Sequence, residues 1–257
     1  MRGPDGRQEE TNGIAIEIRD LWKKFRLYHN KAYSLKERVL FWRQTAVEDF
    51  WALKGVNLSI PRGSTVGLVG RNGSGKSTLL KIISRILYPT KGEVRVHGRV
   101  STLLELGAGF HPDFTGRENI FLNASILGLT RREIKERLGD IIAFSELGDF
   151  IDNPVRNYSS GMYMRLGFAV AVHVDPEILL VDEVLAVGDL AFQEKCLAKI
   201  RELQRRGTTI VFVTHSPEQV QDLCDTAVWL DQGEIRMTGN AKEVAEAYKE
   251  FMEATVR

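Results

Sequence analysis

The stretch GRNGSGKST at residues 70–78 directly follows the apolar run TVGLV at 65–69 and leads into a helical pattern over 78–86. It fills the pattern G-x-x-x-x-G-K-[ST], in which glycines let successive backbone N–H groups turn toward a phosphate while the lysine neutralises its charge. A strand before the loop and a helix after it are the context that this motif requires. The sequence therefore predicts a phosphate-binding loop, made of Gly70, Arg71, Asn72, Gly73, Ser74, Gly75, Lys76, Ser77 and Thr78.

Apolar runs elsewhere in the chain predict the sheet that carries this loop. The runs ILLV at 178–181 and TIVFV at 209–213 are continuously apolar or β-branched, which is typical of strands covered on both faces of a parallel sheet. Alternating apolar residues at 14–18 and 56–60 predict half-buried strands instead. A hairpin is predicted at 227–237. Together these runs predict an α/β core.

Helical signals replace strand signals in the middle of the chain. From about residue 107 to 157 the chain carries capped helical segments, and we interpret about 107–168 as a helical subdomain inserted into the core. Two pairs in it fit the capping-box pattern, namely Thr115 with Glu118 and Thr130 with Glu133.

Length and charge exclude several classes of protein. The chain has 257 residues, with 35 Lys+Arg against 34 Asp+Glu and a formal net charge of +1. Such a composition is typical of a globular protein and provides no electrostatic case for a nucleic-acid partner. No stretch reaches the roughly 18 to 20 apolar residues of a membrane span. We expect residues 1–13 to be a disordered leader, 14–240 to be one domain and 241–257 to be a final amphipathic helix.

An acidic pair follows the strand predicted at 178–181. Asp182 at the carboxyl end of that strand is placed to hold Mg²⁺, and Glu183 points to the other side, where it can act as general base toward a water molecule. The alternative is a solvated acidic pair with no catalytic role.

Small polar residues open the helix that precedes this strand. The segment YSSGM at 158–162 would expose N–H donors and hydroxyl groups to an anion at a helix start. A Ser-Ser-Gly sequence is, however, more often a simple N-cap, so both interpretations stay open.

The order of these motifs resembles that of the ATP-binding-cassette (ABC) ATPases, a class of P-loop NTPases, over about residues 14–237. The resemblance implies a mostly parallel core sheet with an antiparallel β subdomain and an inserted helical subdomain. It also implies ATP and Mg²⁺ as ligands, with Ser77 and Asp182 at the metal. In that family the signature, represented here by Ser159, Ser160 and Gly161, binds ATP held by the other subunit of a dimer. The usual form is LSGGQ, and this chain has Tyr158, Ser160 and Met162 in place of Leu, the first Gly and Gln.

Further roles follow only from this resemblance. His215 matches the switch histidine that contacts the γ-phosphate, although an isolated histidine there is more often structural. Asp189 matches the loop that crosses the dimer interface. Glu105 occupies the place of a glutamine that senses Mg²⁺. For the aromatic residue that stacks on adenine, the candidates are Phe25, Tyr28 and Tyr33.

Several strings of residues resemble the ATPase subunits of bacterial polysaccharide exporters, of the teichoic-acid and O-antigen types. They are an aromatic and basic insertion at about 26–50, LELGAGF at 104–110, TGREN at 115–119, FSELG at 144–148 and YSSGM at 158–162. The middle of the insertion, at 33–43, predicts a short amphipathic helix that lies at a membrane, at a partner or on the domain's own core. The chain stops at residue 257, so we expect the short type without a further carbohydrate-binding domain.

The resemblance implies a homodimer bound to two copies of a transmembrane permease at the cytoplasmic face of the membrane, with a lipid-linked glycan as the exported substrate. The alternatives are an exporter of another lipid or a small solute, and a non-transport ABC ATPase. A P-loop GTPase is a third class, but the only Asn-Lys pair, at 30–31, precedes the phosphate loop and lacks the following Asp.

Overall fold

The structure, a computed structural model, describes residues 13–29, 46–104, 106–182, 188–214 and 216–256. The predictions on Glu105, Glu183, His215 and Tyr33 therefore lie outside the described residues, as does the leader predicted at 1–13 except for Gly13. The side chain of Tyr28 is also outside the description.

The described residues form strands and helices in the following order. The strands are β1 (Ile14–His29), β2 (Ala46–Pro61), β3 (Thr65–Val69), β4 (Lys91–Val96), β5 (Val100–Thr102), β6 (Ile178–Val181), β7 (Thr209–Val213), β8 (Thr226–Asp231) and β9 (Glu234–Asn240). The α-helices are α1 (Lys76–Ile83), α2 (Gly116–Ile126), α3 (Arg131–Ser145), α4 (Ser160–His173), α5 (Leu190–Arg205), α6 (Pro217–Leu223) and α7 (Ala241–Val256). Two short 3₁₀ helices, Gly148–Asp152 and Val155–Asn157, precede α4.

A six-stranded sheet forms the core, with the order β5-β6-β7-β3-β8-β9. All of its pairings are parallel except that of β8 with β9. Every residue of β3, β6 and β7 is buried, as expected for strands with a layer on each face. The α/β class with a mostly parallel core sheet is confirmed, and so is the hairpin near the end of the chain.

A separate antiparallel sheet has the order β2-β1-β4. Its two long strands pair from Ile14 with Pro61 to His29 with Ala46. Both ends of the insertion predicted at 26–50 are thus strand, and only residues 30–45 remain between β1 and β2. The prediction of a helix at 33–43 lies outside the described residues.

Helices α2, α3 and α4 share a hydrophobic cluster of their own, which includes Ile120, Ile134 and Leu166. Thr115 and Thr130 each accept a bond from the backbone N–H three residues on, and Glu118 and Glu133 bond back to the backbone of the capping threonines. Both capping boxes are therefore confirmed. The third of these helices continues to His173, five residues beyond the predicted end of the helical subdomain.

The final helix, α7, packs against the hairpin of β8 and β9. Val244 and Tyr248 are buried, and the rings of Tyr248 and Phe251 lie 5.6 and 5.0 Å from the ring of Trp229. No helix among the described residues is long and apolar enough to cross a bilayer.

Candidate functional site

The phosphate loop lies between the carboxyl end of β3 and the start of α1, as predicted. Gly70 and Gly75 have φ angles of 153° and 109°. A Cβ at Gly70 would lie 2.1 Å from the carbonyl oxygen of Leu230, and one at Gly75 would lie 2.6 Å from that of Ala52. Only glycine fits at these two positions, because both the backbone angles and the neighbouring backbone leave no space for a side chain.

The start of α1 is open to an anion. Its N-cap is Gly75, and no side chain caps the helix, so the first N–H groups of the helix are available to a negatively charged ligand. Lys76 is only 5% exposed, and its Nζ donates to the carbonyl oxygens of Gly70 at 2.7 Å and Arg71 at 3.0 Å. The loop therefore holds a buried cation beside a helix N-terminus.

A cavity of about 520 Å³ opens beside this helix start. It brings the loop together with Asp182, which follows β6, and with one face of β1 and β2. The lining residues are Phe25, Phe50, Ala52, Asn72, Gly73, Gly75, Lys76, Ser77, Thr78 and Asp182. The prediction that Ser77 and Asp182 lie at one site agrees with this arrangement, and Phe25 is the adenine-stacking candidate that lines it.

Three of the predicted loop residues do not line this cavity. Gly70 packs on the backbone of β8, and Ser74 is buried, with its carbonyl oxygen accepting a bond from the N–H of Gly233 at 3.0 Å. Arg71 lines a second cavity of about 550 Å³, next to Tyr248 of α7. These residues shape and support the loop and do not face the main cavity.

The Ser/Gly segment forms the start of α4. Ser159 is the N-cap, and its Oγ accepts a bond from the N–H of Met162 at 3.2 Å. The space beside Gly161 is open, because a Cβ there would meet only Ser159 Oγ, at 3.9 Å. Ser159, Ser160 and Gly161 are not among the residues that line the 520 Å³ cavity within one chain.

Tyr158, which stands where the family has leucine, supports this helix start. Its hydroxyl donates to the carbonyl oxygen of Phe150 at 2.8 Å, and burial raises the pKa of the phenol. The side chain therefore stays protonated and acts as a donor at neutral pH.

Asp189 caps the next helix, α5. Its Oδ1 accepts a bond from the N–H of Phe192 at 2.9 Å, and its Oδ2 accepts one from Arg165 at 2.9 Å. Arg165 also donates to Glu146 at 3.0 Å. One guanidinium on α4 thus joins the end of α3 to the start of α5.

Sequence reasoning missed Phe50 and Ala52 as site residues. The signal that could have found Phe50 is the antiparallel register, in which Phe25 lies directly opposite Phe50. That register cannot be deduced without knowing how β1 and β2 pair.

A glycine-rich loop between a buried parallel strand and a helix, with a carboxylate at the end of a neighbouring strand, defines the P-loop nucleotide-binding class. The sequence profile of the ABC transporter family matches residues 53–186. The chain belongs to this family, which confirms the resemblance noted in its motifs.

Its relatives include ATP-binding proteins of export systems. The O-antigen export system ATP-binding protein RfbB of Myxococcus xanthus is 54% identical over 243 residues, which cover 92% of this chain and 56% of that protein. The protein of the same name from Klebsiella pneumoniae is 46% identical, covering 92% of this chain and 98% of its own length. The teichoic acids export ATP-binding protein TagH of Listeria innocua is also 46% identical, covering 93% of this chain and 71% of its own length. The chain thus spans little more than half of the first of these relatives.

Solved structures show the same fold. A dimeric ATP-binding cassette, MJ0796, bound to ADP and Pi has a TM-score of 0.69 and 23% identity, covering 88% of this chain and 98% of that one. An ATP-binding subunit of an ABC transporter has a TM-score of 0.72 and 21% identity, covering 91% of this chain and 93% of that one.

Proposed function

We propose that this chain is the ATP-hydrolysing subunit of an ABC transporter that exports a lipid-linked polysaccharide of the O-antigen or teichoic-acid type. The observation that supports ATP hydrolysis is that the glycine-rich loop, with Lys76 and Ser77, lines the same cavity as Asp182. The relatives from three organisms are named as O-antigen or teichoic acids export proteins, which supports a polysaccharide as the exported substrate.

The loop provides the charge and the donors that a triphosphate needs. Lys76 is nearly buried, and its Nζ donates to the carbonyl oxygens of Gly70 and Arg71. Phosphate oxygens are stronger acceptors than carbonyls for an ammonium group, and the free N–H groups of α1 add further donors. Binding of the phosphates therefore gives the ammonium group and the helix N–H groups an acceptor that is itself charged.

Ser77 and Asp182 are the oxygen donors that suit Mg²⁺ in this cavity. No group of three His, Cys, Asp or Glu side chains within the described ranges could hold a metal ion by itself. This fits Mg²⁺, which is usually held by one or two protein oxygens together with substrate phosphates. When bound, the ion supplies charge neutralisation to the transferred phosphoryl group.

Glu183 comes directly after Asp182 and is our candidate for the general base that activates water, and His215 is the candidate that senses the γ-phosphate. Glu105 is the candidate for a further contact near the metal. All three assignments are proposals from the motif pattern.

Dimerisation completes the site in this proposal. Ser159, Ser160 and Gly161 start a helix whose first turn is open beside Gly161, and in one chain they lie away from the cavity of the loop. In a head-to-tail homodimer they would close on the triphosphate of the partner, and Asp189 would lie near the interface. Binding of ATP then favours the closed state and hydrolysis removes the bridge, which drives two copies of a separate permease. The subunit would sit at the cytoplasmic face of the membrane, bound to that permease.

A binding experiment tests the phosphate site. Lys76→Ala should weaken ATP binding at least tenfold, since charge-assisted hydrogen bonds contribute about 1.5 to 3 kcal/mol each. Titration calorimetry of the purified chain measures this, and Lys242→Ala on the exposed start of α7 is the matched control. Equal ATP affinity in the two variants would contradict the phosphate site.

The transport part is tested with membranes. The subunit should co-purify with an integral-membrane protein from its own operon, and glycan addition should raise the ATPase rate of the complex. An unpaired subunit that hydrolyses ATP at its full rate without any membrane component would contradict the proposal.

A further inference from the structure

Arg71, the second residue of the phosphate loop, belongs to two sites at once. Its carbonyl oxygen accepts hydrogen bonds from Lys76 Nζ at 3.0 Å and from the N–H of Ser74 at 3.1 Å. The residue is nevertheless exposed, and it lines the 550 Å³ cavity beside α7 and not the 520 Å³ cavity of the phosphate site. A carbonyl that holds the buried lysine is therefore carried by a residue that also borders a different helix.

The cavity beside α7 lies directly behind the phosphate loop. Asn72 lines both cavities, so the segment 71–72 separates them. The other walls of the cavity beside α7 come from the start of α6, at Pro217, and from one face of α7, which includes Tyr248 and Met252. A side chain on α7 can therefore act on the phosphate loop without entering the phosphate site.

Tyr248 has a fixed position beside the strand that enters the loop. Val69, the last residue of β3, pairs with Trp229 where β3 and β8 run side by side. Tyr248 belongs to the same buried cluster as these two residues, and it is only 3% exposed. Its ring lies 5.6 Å from that of Trp229. The phenol is therefore anchored close to the point where β3 becomes the phosphate loop.

A stacked arginine fastens α7 to the hairpin of β8 and β9. The guanidinium carbon of Arg236 lies 4.6 Å from the ring centroid of Trp229 and 4.5 Å from that of Phe251. The same guanidinium donates to Asp231 at 3.2 Å. Cation–π contacts and this ion pair hold the rings together, so α7 and the hairpin form one unit.

The charge of Arg71 acts on the Tyr248 phenol. Burial raises the pKa of this phenol, the positive charge of Arg71 lowers it, and the negative charge of Asp231 raises it. The phenol stays protonated at neutral pH, and its oxygen can accept a bond from a guanidinium. The side chain of Arg71 therefore lies within electrostatic range of an acceptor on α7.

Two carboxylates also line the cavity beside α7. Glu218 already accepts a bond from Ser216 Oγ at 2.8 Å, which lowers the pKa of the carboxyl group, and the charge of Lys249 acts in the same direction. Glu253 is exposed on α7. The buried phenol of Tyr248 loses less side-chain freedom than an exposed glutamate does when it receives a guanidinium, which favours Tyr248 as the partner.

We propose that Arg71 and Tyr248 are positioning residues of the phosphate site, in which the Arg71 guanidinium contacts the Tyr248 hydroxyl and thereby fixes the carbonyl oxygen that accepts from Lys76. This rests on the proposed function, since the consequence is measured on a triphosphate. Without the contact, the peptide at 71–72 can rotate, and Lys76 loses one of the two carbonyl acceptors that hold its ammonium group. The ammonium group must then be ordered again when phosphates bind, which weakens binding.

Titration calorimetry of the purified chain with ATP and with inorganic tripolyphosphate tests the proposal. Tyr248→Phe, which removes only the hydroxyl, should weaken binding of both ligands about threefold, and Arg71→Met should weaken it up to about tenfold. Both ligands should lose the same factor, because the contact acts on the phosphate loop. Arg71→Lys should keep most of the affinity, because it keeps the charge.

The double variant of Arg71→Met with Tyr248→Phe separates a contact from two independent effects. If the two side chains act through each other, the double variant should bind ATP as Arg71→Met does, with no further loss. Tyr88→Phe is the matched control for removal of a hydroxyl, since Tyr88 is 78% exposed and lines neither cavity. It should bind ATP as the wild-type chain does.

Three results would overturn the inference. The first is wild-type ATP affinity in Tyr248→Phe or in Arg71→Met, the second of which changes an exposed residue and leaves the core intact. The second result is a double variant whose loss equals the product of the two single losses. The third is that Glu253→Gln, and not Tyr248→Phe, shows the shared loss with Arg71→Met.

Failure of the proposed function has a different signature, in which the wild-type chain binds neither ATP nor tripolyphosphate. Thermal unfolding of each variant checks that the chain is folded at the temperature of the titration.

Discussion

Replacing Gly233 by alanine should disturb the phosphate loop from a distant part of the chain. Gly233 lies in the turn between β8 and β9, where Gln232 and Gly233 have φ angles of 48° and 86°. Its N–H donates to the carbonyl oxygen of Ser74 in the phosphate loop at 3.0 Å, and its carbonyl oxygen accepts from the N–H of Lys54 at 2.8 Å. The turn thus bridges the loop and β2.

The expected cost has three parts. A non-glycine residue in the left-handed region costs roughly 1 to 2 kcal/mol. A Cβ would lie 2.8 Å from the carbonyl oxygen of Ala52 and 3.1 Å from its carbonyl carbon, and displacing backbone to relieve such an overlap costs about 1 to 3 kcal/mol. Weakening the bond to Ser74 adds about 1 kcal/mol. Together they predict a loss of about 3 to 6 kcal/mol, a large share of the roughly 5 to 15 kcal/mol typical of a domain.

Urea unfolding followed by circular dichroism measures this loss. The matched control is Gln232→Gly at the exposed neighbouring position, which also has positive φ and should change stability by less than about 1 kcal/mol. In the absence of urea, Gly233→Ala should also bind ATP more weakly, because the bonded carbonyl belongs to the phosphate loop. A loss below about 1 kcal/mol in Gly233→Ala, or an equal loss in Gln232→Gly, would refute the reasoning.

Two further predictions concern the candidate base and a partly buried histidine. Glu183→Gln should retain ATP binding, lose turnover and accumulate closed dimers, as measured by size-exclusion chromatography with ATP; a wild-type hydrolysis rate would contradict the role of Glu183 as base. Burial lowers the pKa of His173 below its ordinary value of 6.5, with Lys199 acting in the same direction, while the bond to Ala169 and the charges of Asp140 and Glu202 oppose this. The unfolded chain therefore binds a proton at His173 more readily than the folded chain does. The stability that depends on a neutral His173 is complete above about pH 6.5 and declines as the pH falls toward the folded-state pKa. Urea unfolding at pH 7.5 and 5.5 should show a smaller acid loss in His173→Gln than in the wild-type chain, and equal losses would contradict the assignment.

The core sheet and the helix starts could be predicted from sequence because their causes are local. The run at 65–69 is continuously apolar, and each of its residues is buried between two neighbouring strands. Thr115 and Thr130 cap helices through contacts within four residues of chain, so the sequence pattern contains both partners of each bond. The motif at 70–78 likewise needs only the strand before it and the helix after it.

The parts that sequence reasoning missed depend on pairing between distant segments. Phe50 joins the candidate site because β1 and β2 pair in a register with shifts near Leu21 and Lys23, and a shift of one residue would turn its ring to the other face. The phosphate loop passes close to the backbone carbonyls of Leu230 and Ala52, and it accepts a bond from the N–H of Gly233. Every residue has a carbonyl oxygen, so such contacts leave no trace in the periodicity or residue type of the segment that supplies the carbonyl. The glycines at 70, 75 and 233 are the trace that remains, since each marks a position where the backbone of another segment approaches too closely for a side chain. Glycines in this chain are therefore required both where another backbone segment approaches closely and where the loop must turn toward a phosphate. Substitutions such as Gly233→Ala, outside the phosphate loop, test the first requirement separately from the second.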